Sequence, residues 1–286
     1  MTKQTSYTSG IIKNTTKWRN RFLIGTATTG LVRMEWVQAR YSQLIPTNWS
    51  LAETLQWLNP VAPLEYIVSD AQNLIVRSAI EQDAEWLFLL EQDNILAPNT
   101  FFRLNEYMRK GTSPVVSGLY FTKSNPPEPM IYRGAGNSYF DKWKMGDKVW
   151  ASGVPTGCLL IHMSLLRAMW NESAEYRIGD QVTRKVFAEP SKVWFNPEKG
   201  RMESSSGTSD LAWCRRVQEE HWFEKAGWSK YDKMKYPFLV DTSMFVEHIS
   251  EDGRRWPLLI PHEFMPDKES IKRNKKNEIE LAGVKK

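Results

Sequence analysis

Cysteine is scarce in this 286-residue chain, where Cys158 and Cys214 are the whole supply. Both sit in apolar or helical contexts without metal-ligand spacing, which argues against a disulfide framework and against a zinc site. A reducing cytoplasm is the expected compartment. Long apolar runs are missing as well. No stretch nears the ~18 residues that a membrane-spanning helix needs, and the opening MTKQTSYTSG is too polar for a secretory leader. Internal repeats and low-complexity linkers are absent too. Nor is there a strong excess of one charge: the net value is +5, and part of it lies in the tail DKESIKRNKKNEIELAGVKK. That tail reads as a solvated end rather than a nucleic-acid arm, although a weakly basic protein still tolerates a polyanionic partner.

Tryptophan, in contrast, is abundant, with 13 copies. Trp143, Trp150, Trp194, Trp222 and Trp228 suit stacking on sugars or bases, but core and loop packing is the commoner use of the side chain. The order of elements is more informative. RFLIGTATTG reads as a short strand, Phe22 to Ile24, breaking into a Gly/Thr loop. A helical stripe of Met34, Val37, Tyr41 and Leu44 follows. LEYIVSD reads as a second strand ending at Ser69 and Asp70, and AQNLIVRSAIEQ as a helix with Ile75 and Ala79 on one face. WLFLL is a continuous apolar run of the kind covered on both faces in a parallel sheet. A helix beginning near Pro98 and Asn99 turns Phe101, Leu104 and Met108 inward, and PVVSGLYF is a further strand.

Such alternation predicts an α/β domain with an open, mostly parallel sheet flanked by helices. A less regular second half follows, with hairpins and loops such as NPEKGRMESSSGTSD, the helix DLAWCRRVQEE and the strand segment PFLVDTSMFVEHIS. We expect a polar lead-in over 1–19, one domain over 20–265 divided near residue 122, and a charged tail over 266–286. In open α/β sheets ligands bind beyond the carboxyl ends of the strands. The Gly/Thr stretch, Ser69-Asp70 and Glu91-x-Asp93 are all expected at such ends.

Three places could carry chemistry. Glu91 and Asp93 can converge on one hard cation such as Mg²⁺ or Mn²⁺; the plain alternative is a pair of solvated loop charges or a helix cap. Asp210 stands in the first turn of a helix, where an acid favours the dipole by ~0.3–1 kcal/mol, or it serves as a general base fixed on a rigid element. His248 follows an apolar run and is either a hydrogen-bonded structural imidazole or a third metal ligand. His162, His221 and His262 have no such context.

Taken in order, LFLLEQDNILAP, VVSGLYF, VPTGCLLIHMSLL, TSDLAWCRRV and VDTSMFVEHI resemble the GT-A glycosyltransferases, in particular family-2-like enzymes of the bacteriophage type, over about residues 20–262. The resemblance implies a divalent metal held by Glu91, Asp93 and His248 on the diphosphate of a nucleotide-sugar, a UDP-sugar first. It also implies donor contacts from Thr26, Ala27, Thr28, Ser69, Asp70, Asn73, Gln92 and Gly157, with Asp210 as the base of an inverting member. Three departures stand out. Gln72 occupies the place of an arginine that relatives use, Glu91 replaces the commoner aspartate, and Ser209 precedes Asp210 where relatives commonly carry a second acid.

The activity that this resemblance implies is that of a metal-dependent glycosyltransferase acting on an acceptor hydroxyl, with a modified DNA base, a virion protein or a glycan as acceptor. In a phage setting its place is the host cytoplasm. A carbohydrate-binding module of the same fold without turnover is the alternative. A sugar nucleotidyltransferase is a weaker one, because GTATTGLVRME lacks the Gly-rich loop and basic residue that such enzymes carry after the first strand.

Overall fold

A computed structural model describes residues 20–57, 67–134, 138–260 and 262–265. The expected lead-in and tail therefore lie outside the described residues. Among the described residues the chain forms a nine-stranded sheet in the order β13-β12-β5-β7-β3-β1-β2, with β4 and β6 pairing on β12. Its strands are β1 (Asn20–Thr28), β2 (Trp49–Trp57), β3 (Trp86–Leu90), β4 (Asn94–Leu96), β5 (Val115–Leu119), β6 (Lys148–Ala151), β7 (Cys158–His162), β12 (Phe238–Ile249) and β13 (Arg255–Trp256). The helices are α1 (Met34–Tyr41), α2 (Val68–Glu81), α3 (Thr100–Lys110), α4 (Met163–Glu172), α5 (Ser209–Glu219), α6 (Trp222–Lys225) and α7 (Ser229–Asp232). Two hairpins, β8 (Glu175–Ile178) with β9 (Gln181–Arg184) and β10 (Ser191–Asn196) with β11 (Arg201–Ser206), stand apart from the main sheet.

β1 pairs in parallel with β2 and β3, and β12 in parallel with β5. β7 runs antiparallel between β3 and β5, so all five of those strands point the same way. The expected α/β sheet flanked by helices is what forms. The alternation of side chains along a strand divides its core in two. Leu23, Leu87, Leu89, Leu159 and Ile161 face one way and pack with Ile75, Val76 and Ala79 of α2 and Trp213 of α5. Phe22, Ile24, Trp86, Phe88 and Leu160 face the other way, against Trp36 of α1 and Phe101 and Leu104 of α3. Each such side chain, once buried, contributes roughly 1.5–3 kcal/mol. α2 lies so close to β1 that a Cβ at Gly25 would sit 2.2 Å from Ile75 Cγ2.

Four expectations need correction. Gly25 to Thr28 do not break into a loop but continue β1, because β2 gives each of them a ladder partner. The second strand is Trp49–Trp57, not 64–70. Ser69 and Asp70 instead occupy the first turn of α2, where an acid meets the helix dipole; residues 64–66 are outside the described set. On α1 the buried residues are Trp36 and Arg40, while Met34, Tyr41 and Leu44 are exposed. Arg40 can be buried because Glu53 pairs with it and its guanidinium lies 5.2 Å from the Phe101 ring centroid. The expected loop over 196–210 contains β11, held to β10 by six registered pairs.

Candidate functional site

The site is built where β3 ends. The Trp36 indole N–H donates to the Glu91 carbonyl at 2.9 Å, and the Glu91 N–H donates to the Gly157 carbonyl at 3.1 Å. The Ile249 N–H donates to the Asp93 carbonyl at 2.8 Å, which ties the turn to β12. β4 then runs antiparallel to β12, with Asn94 opposite His248. As a result one ligand atom from each of Glu91, Asp93 and His248 lies within 4.8 Å of the others. The imidazole Nδ1 is 2.9 Å from the Phe121 carbonyl oxygen. That nitrogen must carry the proton to donate there, so Nε2, 3.4 Å from Asp93 Oδ2, donates to that carboxylate in the protonated ring and offers its lone pair in the neutral one.

The charges at this point are unbalanced in a defined way. Burial, with the nearby carboxylates of Asp93 and Asp210, pushes Glu91 up to about 7. Burial also works to raise Asp93, but the His248 hydrogen bond and the Lys123 ammonium outweigh it and hold Asp93 at about 2. Lys123 contacts Asp93 Oδ2 directly. Asp210 is raised above the usual carboxylate range by burial, partly offset by hydrogen bonds from Thr208 and from the Leu211 N–H at 2.7 Å. Two carboxylates, one imidazole lone pair and a third acid nearby make a donor set that fits a hard divalent cation. Burying charges of one sign is costly unless something of the other sign meets them.

A polar chain supports Glu91 from behind. The Gln72 side-chain N–H donates to Thr156 Oγ1 at 3.0 Å, and the Thr156 hydroxyl donates to Glu91 Oε1 at 3.3 Å. Gln72, the substitution that departs from the resembled pattern, thus acts toward the carboxylate through Thr156. Gly157 donates its N–H to the Tyr120 hydroxyl at 2.8 Å. A Cβ there would lie 2.1 Å from the Asn94 amide, 2.5 Å from that hydroxyl and 2.7 Å from Glu91 Oε2, so only glycine fits.

The remaining expected residues fall into two groups. Thr26 and Thr28 are buried at the end of β1, and Ala27 is half-buried. Among the described residues Thr26 Oγ1 has no hydrogen-bond partner. Gln92 sutures that strand end: its Oε1 accepts from the Thr28 hydroxyl and the Thr29 N–H, each at 2.8 Å. Ser69, Asp70 and Asn73 open α2 and are engaged elsewhere. The Ser69 N–H is 3.4 Å from Glu189 Oε1, and Asp70 accepts from the Tyr176 hydroxyl at 2.7 Å. Asn73 Oδ1 accepts from the Val186 and Phe187 N–H groups, and its amide N–H donates to Tyr176 and to the Phe187 carbonyl. The structure therefore gathers Glu91, Asp93, His248, Gly157 and Asp210 at one place and joins Asp70 and Asn73 to the segment 176–187.

Sequence reasoning missed Lys123, Tyr120, Thr156 and Tyr132. Tyr132 lies near Asp210, which with burial pushes its phenol up to about 12. Of the tryptophans, Trp143 and Trp222 are buried and Trp194 is exposed on β10. Both cysteines are buried free thiols, and burial raises each of them, Cys158 to about 12.

No family model matches the sequence, and no curated protein matches it. Among solved structures, A197 from STIV is similar with a TM-score of 0.49 and 14% identity, over 86% of this chain and 95% of that one. S. aureus TarS 1-349 in complex with UDP-GlcNAc is similar with a TM-score of 0.33 and 10% identity, over 51% of this chain and 46% of that one. A putative glucose-1-phosphate thymidylyltransferase from Bacillus anthracis, in complex with a sucrose, is similar with a TM-score of 0.30 and 8% identity, over 55% and 76% of the two chains.

Proposed function

We propose that the chain is a glycosyltransferase of GT-A type that moves a sugar from a nucleotide-sugar to an acceptor hydroxyl, using Mn²⁺ or Mg²⁺. The observation that carries this reading is the convergence of Glu91, Asp93 and His248 at the carboxyl end of the central strand β3, with Asp210 close enough to perturb Glu91. When bound, the cation supplies positive charge to the diphosphate oxygens as the leaving group gains negative charge.

The chain's own residues do the rest. Glu91, Asp93 and His248 would hold the cation at the strand end, with Thr156 and Gln72 fixing the Glu91 carboxylate. The nucleoside would lie against Thr26, Ala27 and Thr28, with Gln92 keeping the end of β1 in place. Ser69, Asp70 and Asn73 belong to this reading through the first two turns of α2 and the segment 176–187 that Asp70 and Asn73 secure. Gly157 lets the sugar-side turn approach Glu91. Asp210, raised by burial and fixed at the start of α5, takes the proton from the acceptor hydroxyl.

A thermal-shift panel of UDP, GDP, CDP, TDP and ADP, each with Mn²⁺ and with chelator, tests the proposal. One nucleotide should stabilise the protein, and only with metal, by ~2.7 kcal/mol at a hundredfold excess over Kd. A panel flat in both conditions overturns the donor assignment. Binding of a nucleotide-sugar with no metal-dependent hydrolysis or transfer would leave a binding module of the same fold.

A further inference from the structure

We propose that Asn94 is a fourth protein group of the cation site, closing it beside His248 through its side-chain carbonyl oxygen. The inference rests on the cation site proposed above and extends it to a residue that acid-and-imidazole chemistry alone does not single out. Asn94 opens β4 in direct register with His248 of β12. Residues directly opposite in an antiparallel pair project their side chains from the same face, with Cβ atoms ~4.5–5.5 Å apart. The amide is therefore delivered to the neighbourhood of the imidazole by strand pairing, just as Glu91 and Asp93 are delivered by the turn before it.

The condition of that amide is unusual. Asn94 is 1% exposed, and among the described residues neither Oδ1 nor Nδ2 has a hydrogen-bond partner. A buried polar group left unsatisfied costs ~1–3 kcal/mol, and in native proteins such a group is normally paired or holds a ligand. Its surroundings indicate which ligand. The Asn94 amide, the Tyr120 hydroxyl and Glu91 Oε2 crowd the position above Gly157 that a side chain would otherwise fill. The Asn94 atom there is Nδ2, but the carboxylates of Glu91 and Asp93, the Tyr120 oxygen and the Nε2 of a neutral His248 are electron-pair donors, which outnumber the Lys123 ammonium on Asp93 and suit a cation. Neither end of the amide is held by a described residue, so turning its carbonyl oxygen inward breaks none of the observed bonds. A neutral amide oxygen is a hard ligand that adds to coordination without adding a further negative charge to a cluster already short of positive charge.

Calorimetric titration of the full-length protein with Mn²⁺ alone, in wild type, Asn94→Leu and Asn94→Asp, tests this. Leucine keeps the approximate shape and removes both polar atoms. Asn94→Leu should bind Mn²⁺ at least tenfold more weakly, while its unfolding temperature without metal is equal to or above that of wild type, since an orphaned amide has gone. Asn94→Asp should bind several-fold more tightly than wild type. Wild-type affinity in Asn94→Leu overturns the proposal, and so does a loss accompanied by metal-free destabilisation that Asn94→Asp fails to rescue. If Asn94→Leu does not fold, Asn94→Asp decides alone, and equal or weaker affinity overturns it. A wild-type protein silent to Mn²⁺ overturns the cation site itself, whereas wild-type binding unchanged by Asn94→Leu removes only the role of Asn94.

Discussion

Glu91 and Asp93 stand two residues apart yet are driven in opposite directions, to about 7 and about 2. The difference comes from what each faces: Asp93 meets Lys123 and His248, and Glu91 meets burial and two other acids. A cation binding at Glu91 must therefore displace a proton below about pH 7. Affinity for Mn²⁺ should rise with pH up to that point and lose roughly tenfold per unit below it through Glu91, which Asp93 does not follow. The share belonging to Glu91 should vanish in Glu91→Gln, checked by calorimetry from pH 5.5 to 8. Asp93→Ala should abolish metal-dependent nucleotide binding, while metal-free stability changes by only about 1 kcal/mol, because its ion pair with Lys123 is partly exposed. An unfolded variant, or one that binds as wild type does, would count against the assignment. The acids and His248 are legible in the sequence because an apolar strand running into charges is unusual. Lys123, Thr156 and Asn94 are not, since contacts such as Asn94 opposite His248 come from strand register rather than from spacing along the chain.

At the level of elements, buried strands and strongly amphipathic helices read well, and elements decided by their partners did not. α3 follows from Phe101, Leu104 and Met108, which face one core. β2, with its polar Glu53, Thr54 and Gln56, carries no such pattern and exists because β1 offers it a complete parallel ladder. His162 is another feature that only packing reveals. It is the N-cap of α4: its Nδ1 accepts the Ser164 N–H at 3.2 Å, and its ring stands edge-on to Trp86. Burial, with Arg167 nearby, lowers it to about 4. A histidine depressed in the folded state takes up protons more readily when unfolded, so its contribution is complete above the unfolded value near 6.5 and is lost as pH falls toward 4. Relative to His162→Gln, the wild type should lose about 1–2 kcal/mol between pH 7 and 5 in urea unfolding. Equal slopes in the two proteins would remove His162 as the cause.

For the whole molecule, two requirements meet at the end of β3. Glu91, Asp93 and Asp210 bring acids together there, and a nucleoside diphosphate would bring further negative charge. Lys123 faces Asp93 and is engaged by it, so one ammonium is divided between the protein's own acid and any incoming phosphate. The diphosphate and the cation should therefore bind as a coupled pair, each strengthening the other by the same factor, as linkage demands. Titrating UDP with and without Mn²⁺, and Mn²⁺ with and without UDP, should return one coupling factor of at least tenfold from both directions. As the proposed base, Asp210 would enter only afterwards. Asp210→Asn should leave that coupling intact and lose transfer to the acceptor, because it removes the proposed base without changing the groups proposed to hold the donor. A coupling factor near one, with UDP bound equally well in chelator, would mean that Lys123 rather than a divalent ion meets the diphosphate. The acids that follow β3 would then have to be explained without a metal.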